Sequence, residues 1–508
     1  MIPWLSIIVL SPLIAAVVLL FVPAASRAVT RIVSLTASLV SLVGSIVVAY
    51  SYNLAEGDYQ LRETHVLVGS LGIRYDLAVD GWGVALLLLT GITLFAGVFA
   101  TWTLEDRDKD FYILLLTLVA GVFGVFVSLD LFVLFLFYEI AVLPMYLLIG
   151  IWGSTKKVEA SGPFAFLYRK MDVGGREYAA MKLTLMLLIG SAFILVGILA
   201  MRQEGGSFDM LALGDAQFSH TMQMWAFPAL WLGFGTLAGV FPFHTWSPDG
   251  HAAAPTAVSM LHAGVLMKLG AFGVMRIGMV LLPEGAQAWA GIVGAVAVVN
   301  IVYGALGAMS QKDLKYVVAY SSVSHMGVVM LGAATMTVNG WNGAVFQMVA
   351  HGLMTGLFFA LVGLIYNRAH DREIFRMGGF AAVMPGVAVF FTIAGLSSLG
   401  MPGLAGFVAE FLVFLGAWEA GHWFWALAGI VGAWVTAVYV LRAVRAIFWG
   451  AGPPERYHDL SDAKGTEWVA LVTLGACLIA FGSCPRLVLD YIDVATSTYI
   501  QALPVVLK

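Results

Sequence analysis

The chain has 508 residues, 61% of them hydrophobic and only 11% charged, which excludes a soluble globular domain and fits a polytopic membrane protein. Its 26 basic and 30 acidic residues leave a net charge of -4, with no basic tract suited to a nucleic acid. Cys477 and Cys484 stand about 10 Å apart along one apolar run and cannot bridge; with no CxxC, P-loop or dinucleotide glycine pattern, no cofactor is expected in this chain.

The first apolar run, 2–22, lacks a basic leader and reads as a retained helix. Runs able to cross a hydrocarbon core, roughly 20 residues each, follow at 30–50, 81–103, 111–128, 130–152, 181–201, 224–243, 254–282, 287–309, 315–334, 341–366, 379–416, 423–447 and 466–484. The expected fold class is an all-α polytopic membrane protein of about 14 transmembrane helices. Two spans are interrupted, one near Pro242, Pro248 and Gly250, the other at Gly400, Pro402, Gly403 and Gly406. Each is fourth in a group, one group starting at 111 and the other at 287, so the spacing predicts two five-helix repeats. Five is odd, so consecutive repeats insert with opposite topology, as in transporters with discontinuous helices.

The expected division is 1–110 for helices 1–3, 111–283 for the first repeat, 284–450 for the second, and 451–508 for the last helix and a C-terminal interfacial helix. Nineteen Lys and Arg residues fall in one set of alternate loops and six in the other, so the positive-inside rule places both termini on the outer side. The polar inner loops at 155–180 and 451–465 are expected contact surfaces for a partner.

Few ionisable residues lie within the spans: Glu139, Lys268, His325, His351 and Glu410, with Lys182 at the inner end of one. A lysine at a membrane helix centre costs roughly 2.5 to 3.5 kcal/mol, so such groups are expected to face protein or water. Spread over five helices at similar depth, they suggest a lateral row of titratable sites. Two charges about 10 Å apart at an effective dielectric near 20 interact by roughly 1.7 kcal/mol, enough to shift a neighbour's protonation about tenfold. Each histidine taken singly also reads as helix-to-helix hydrogen bonding, and Glu139 with Lys268 as a structural ion pair. His244, His251 and His262, spaced by seven and eleven, fit no zinc motif.

Six stretches carry a resemblance over nearly the whole chain: FYEIAVLPMYLLIGIWG, REYAAMKL, FPFHTWSPDGHAAAPTAVSMLHAGVLMKLGAFGVMR, QKDLKYVVAYSSVSHMG, FQMVAHGLMTGLFF and LGMPGLAGFVAEF. In these the chain resembles the antiporter-like subunit M family of the bacterial proton-pumping NADH:quinone oxidoreductase, respiratory complex I, the counterpart of mitochondrial subunit 4. The resemblance implies broken helices 7 and 12 and proton translocation driven by quinone reduction in other subunits. It also implies a place in the bacterial inner membrane beside the related chains L and N. Residue by residue, it makes Glu139 a carboxylate coupled to an adjoining lysine, Lys268 the helix-eight lysine, His325 and His351 the bridging histidines, and Glu410 the outlet. Glu410, where L and N usually have lysine, and the lack of a long lateral helix after the last span favour M.

One departure stands out. The family's helix seven carries a lysine five residues before the proline of its PFHTW-type motif, and here that position is Leu237. Three readings stay open: Lys268 or Lys182 substitutes as partner, Glu139 stays neutral, or the chain is a divergent paralogue with altered or absent pumping. A cation/proton antiporter, a membrane-bound hydrogenase subunit and an inorganic-carbon uptake subunit are the alternative assignments. Leu237→Lys is expected to be tolerated in assembly. Loss of the assembled complex on that change, followed by native gel electrophoresis, would show a pocket rebuilt around apolar side chains.

Overall fold

The computed structural model describes residues 2–155 and 175–503. Apolar runs become long helices because a chain in lipid must satisfy its backbone polar groups internally. Twelve described helices are long and apolar enough to cross a membrane, thirteen if a bent C-terminal pair counts as one span. They begin with α1 (Trp4–Phe21), α2 (Arg27–Ser51), α3 (Gly81–Ala100), α4 (Asp108–Val127), α5 (Leu131–Trp152) and α6 (Arg176–Gly205). The seventh span is α7 (His220–Ala238) followed by α8 (Trp246–Ala253), and the eighth is α9 (Thr256–Met279). The second group runs α10 (Pro283–Ser310), α11 (Leu314–Ala334), α12 (Val338–Ala369), α13 (Pro385–Ser398), α14 (Ala405–Glu419) and α15 (Trp423–Phe448). The chain closes with α16 (Glu467–Ser483) and α17 (Arg486–Ala502), bent by 64° to each other.

Both interruptions lie in the spans where the sequence places them; the seventh-span break falls beside Pro242, while Pro248 and Gly250 lie within α8. α7 stops at Gly239, with φ of 76°, and α13 and α14 are parted by Gly400 and Gly403, with φ of 71° and 92°. These are left-handed conformations in which glycine avoids the Cβ clash. With α13 and α14 taken as one broken pass, the helices account for about fourteen passes.

The two five-helix groups share more than helix order. In the first, the residues before α5 pair with those after α6: the Leu131 N–H donates to Phe208 O (2.9 Å) and the Met210 N–H to Leu129 O (2.8 Å). In the second, the residues before α11 pair with those after α12: the Leu314 N–H donates to Arg372 O (2.8 Å) and the Ile374 N–H to Lys312 O (2.9 Å). Asp130 and Asp313 cap the corresponding helices α5 and α11. The crossing of third and fourth helices is close in both repeats. A Cβ on Gly233 would lie 2.6 Å from Gly190 O, and one on Gly343 would lie 3.0 Å from Ala409 O.

The fold is the expected helical one, with one further element that is not a helix. Strands β1 (Gln60–Val68) and β2 (Ile73–Val79) form an antiparallel hairpin between α2 and α3. A search for runs of span length passes over such short segments. The hairpin ties distant parts together: Glu63 accepts from the N–H groups of Leu5 (2.9 Å) and Ser6 (3.0 Å), and Arg62 pairs with Asp76 at 2.5 Å. Asp130 Oδ2 accepts from the Arg74 N–H at 2.9 Å.

Of the expected partner loops, residues 156–174 of 155–180 lie outside the described residues. Part of 451–465 docks on its own chain. Tyr457 is buried, its hydroxyl donates to Asp371 Oδ2 at 3.3 Å, and Arg456 donates to Arg376 O at 3.1 Å. Partial burial acts to raise the Asp371 carboxyl, but the Glu373 and Arg372 N–H groups, the Tyr457 hydroxyl and Arg376 together hold it below the usual carboxylate range.

α17 is fastened through Arg276 of α9. The Arg276 guanidinium lies 2.5 Å from Asp80 Oδ1, with both side chains almost fully buried, and it also donates to the hydroxyls of Tyr59 and Tyr499. The rings of Tyr59, Trp82, Phe272 and Tyr499 surround it at 5.0 to 5.3 Å. Removing one member of a buried ion pair costs about 3 to 5 kcal/mol, whereas apolar replacement of both is often near neutral. Asp80→Ala is therefore expected to lower the thermal stability of the assembled protein sharply, and Asp80→Leu with Arg276→Met to restore much of it, as read by thermal unfolding in detergent.

Candidate functional site

Lys268 lies on α9, which is wholly buried in its central part. Two π turns, His262–Leu266 and Val274–Met279, interrupt this helix and shift its backbone hydrogen-bond register. Beside the first, the Ala263 carbonyl accepts from Lys268 Nζ. The ammonium is fully buried and has a second neighbour in His351 Nδ1, at 2.5 Å. With the lysine as donor, His351 accepts through Nδ1 and carries its proton on Nε2. That Nε2 has no protein partner among the described residues. α9 comes close to α7 because Gly270 has no side chain; a Cβ there would lie 2.4 Å from Phe234 O.

From His351 the row continues into the second repeat. The rings of His351 and His325 are 5.4 Å apart between centroids. His325 Nδ1 is 2.7 Å from Ser321 O and Nε2 is 3.0 Å from Ser398 O. A neutral imidazole has one N–H, so only one of these carbonyls is bonded at a time unless the ring takes up a second proton. Glu410 Oε1 lies 3.7 Å from Nε2. Ser398 is the last residue of α13, and its carbonyl belongs to the negative end of that half-helix. The break in the twelfth span thus leaves a backbone acceptor facing a titratable ring.

The break in the seventh span is closed differently. The Thr236 carbonyl accepts from Trp246 Nε1 at 2.9 Å, the Gly239 carbonyl from Asn300 Nδ2 at 3.4 Å, and the Phe241 N–H donates to Asn300 Oδ1 at 2.8 Å. Leu237 is fully buried at this point. Among the described residues the side chains that meet these backbone groups are those of Trp246 and Asn300, neither of them titratable.

Sequence reasoning grouped the histidines of this region only as a rejected metal set, yet two of them extend the row. His251 Nε2 lies 3.5 Å from the sulfur of Met267, next to Lys268, and its ring is 4.2 Å from that of His262. Both are fully buried, and both nitrogens of His262 lack a protein partner among the described residues. The available signal was the six-residue spacing from His262 to Lys268. Pro255 hid the rest, since it parts His251 from the helix that carries His262. His244 turns away to Phe241 and Tyr303.

Two expected members stand apart. Lys182 Nζ pairs with Asp249 Oδ2 at 2.7 Å, and Tyr316 donates to the other carboxylate oxygen at 3.0 Å. Glu139 is half-buried on α5 near the Ser191 hydroxyl and makes no ion pair among the described residues. Among the described residues Glu139 pairs with neither Lys182 nor Lys268. Glu139 shares its face with exposed Leu136 and Leu143, so it borders the lateral surface of the bundle.

A family model, described as NADH:quinone oxidoreductase/Mrp antiporter, TM, matches residues 168–436. The chain is 37% identical to NAD(P)H-quinone oxidoreductase chain 4 1 of Synechococcus sp. (strain JA-2-3B'a(2-13)), covering 97% of this chain and 92% of that one. The chain belongs to this membrane oxidoreductase and antiporter family. Chain 4 of Gloeobacter violaceus is 35% identical over 96% of this chain and 91% of its own length. A chain of respiratory complex I from Thermus thermophilus with bound NADH superposes with a TM-score of 0.86 at 27% identity, covering 98% and 100% of the two chains. A chain of the Mrp complex from Dietzia sp. DQ12-45-1b shares the fold, with a TM-score of 0.84 at 21% identity and coverage of 99% and 100%.

Gly400 supports the row's far end within this family fold. A Cβ there would lie 2.6 Å from Glu410 Oε2, at a φ that side chains seldom adopt. Gly400→Ala is expected to push Glu410 away from His325 and to lower proton translocation by about tenfold, a barrier change of roughly 1.4 kcal/mol. Proton uptake by reconstituted complex, measured with a pH-sensitive dye, checks it.

Proposed function

We propose that this chain is the antiporter-like membrane subunit of a proton-translocating NADH:quinone oxidoreductase and that it moves protons along His262, His251, Lys268, His351, His325 and Glu410. Quinone reduction in other subunits supplies the driving force, and this chain contributes no redox chemistry of its own. The observation that carries the proposal is the seating of His325 between two carbonyls and a carboxylate, 5.4 Å from the ring that receives Lys268. A purely structural histidine needs one partner, and a buried lysine used for packing alone would be costly in lipid.

The chain lies in the bacterial inner membrane with both termini on the outer side, divided at 1–110, 111–283, 284–450 and 451–508. The chains that resemble L and N flank it. Glu139, half-buried beside exposed leucines, faces one such neighbour, because a carboxylate at the lateral surface requires protein and not lipid beside it. Lys182 and Asp249 then act as a fixed inner-side ion pair and not as a proton carrier.

A second reading, a cation/proton antiporter with a different partner set, is favoured by Leu237, which removes the helix-seven proton site. Companion chains with flavin and iron–sulfur absorbance on purification support the first reading; companions without redox centres support the second.

Lys268→Ala and Glu410→Gln are each expected to reduce protons moved per electron in reconstituted complex, while NADH oxidation by the hydrophilic subunits with an artificial acceptor persists. Unchanged stoichiometry in both variants would overturn the row. Glu139→Gln is expected to lower pumping by the same measure.

A further inference from the structure

Asn300 of α10 is fully buried and makes three hydrogen bonds to backbone groups of two other spans. Its Oδ1 accepts from the Phe241 N–H at 2.8 Å, and its Nδ2 donates to Gly239 O at 3.4 Å and to Val323 O at 2.8 Å. The first two groups are backbone freed by the break of the seventh span. The third lies on α11, two residues before His325. A side-chain amide offers two donors and an acceptor with two lone pairs, so one residue bridges the broken helix of the first repeat and the histidine helix of the second.

The surroundings make this link stiff. Ser324, between Val323 and His325, donates to Ile301 O at 2.9 Å, so α10 and α11 are stitched at adjacent positions. A Cβ on Gly304 would lie 2.5 Å from Ser324 N, which shows how close the two backbones run. One turn along from Asn300, the Tyr303 ring lies 5.6 Å from Phe241 and 4.9 Å from His244. α10 therefore grips the seventh span after its break by backbone and ring contacts while holding α11 on its other side.

We infer that Asn300 is a positioning residue that couples the break of the seventh span to the seat of His325, so that a movement of either is passed to the other. This rests on the proposed row. Any rearrangement at Gly239 or Phe241 must either break bonds to Asn300 or displace Val323, and a displaced Val323 moves the backbone from which His325 reaches Ser398 and Glu410. Here the side-chain amide takes up what a helix-seven lysine does not: Leu237 carries no charge across the break, and Asn300 carries a mechanical constraint.

The test uses the assembled complex in proteoliposomes, with Asn300→Leu and Asn300→Asp. Leucine keeps similar volume and loses all three bonds; aspartate keeps an acceptor for Phe241 and loses both donors. Asn300→Leu is expected to lower protons moved per electron by the same share as Lys268→Ala, and to add no further loss to His325→Gln. Deuterium exchange is expected to rise together at 239–245 and 321–327 in Asn300→Leu, and only at 321–327 in Asn300→Asp. Normal stoichiometry in assembled Asn300→Leu, or a loss additive with His325→Gln, overturns the inference. If Asn300→Leu does not assemble, Asn300→Asp decides: it too must lower protons per electron. Normal stoichiometry in Lys268→Ala and Glu410→Gln would instead refute the row itself.

Discussion

The rest of the bundle is arranged around one buried lysine. Taking Lys268 out of water carries an effective penalty of several kcal/mol, and the fold meets it with two neighbours supplied by different means. A π turn presents the Ala263 carbonyl, and α12 brings His351 to 2.5 Å. The second depends on α9 and α12 coming nearer than side chains would allow: a Cβ on Gly352 would lie 2.5 Å from Gly264 O. Packing, backbone register and charge are therefore a single problem in this region.

The two repeats solve the same topological problem and then diverge in chemistry. Each opens one helix at its fourth position, and each anchors the loop before its second helix to the loop after its third. In the second repeat the opened end faces His325 and Glu410. In the first, Trp246 and Asn300 occupy the freed backbone groups, with Leu237 filling the space beside them. A backbone break supplies dipoles, but only a titratable neighbour turns those dipoles into a proton site.

How much of this was legible in the sequence depends on the kind of signal. Helix number and the two interruptions follow from run length and from glycines and prolines, which act locally. The five ionisable residues within the spans stood out because charge is rare in lipid-depth segments, and four of them, Lys268, His351, His325 and Glu410, come together. The hairpin at Gln60–Val68 and Ile73–Val79 was missed because its strands are too short to register as spans. The pairing of Lys182 with Asp249 crosses 67 residues and depends on a helix break, and local patterning contains no measure of such distances. His251 and His262 were visible as residues, but their adjacency arises from a chain reversal at Pro255.

The Arg276 cluster also bears on how the protein is made. Asp80 precedes Arg276 by 196 residues, but the Tyr499 hydroxyl follows it by 223. During synthesis the guanidinium has its carboxylate from the start and acquires its second phenol only when α17 emerges. α17 thus completes a seal over the middle of the chain, and a product truncated before Tyr499 leaves that cation incompletely covered.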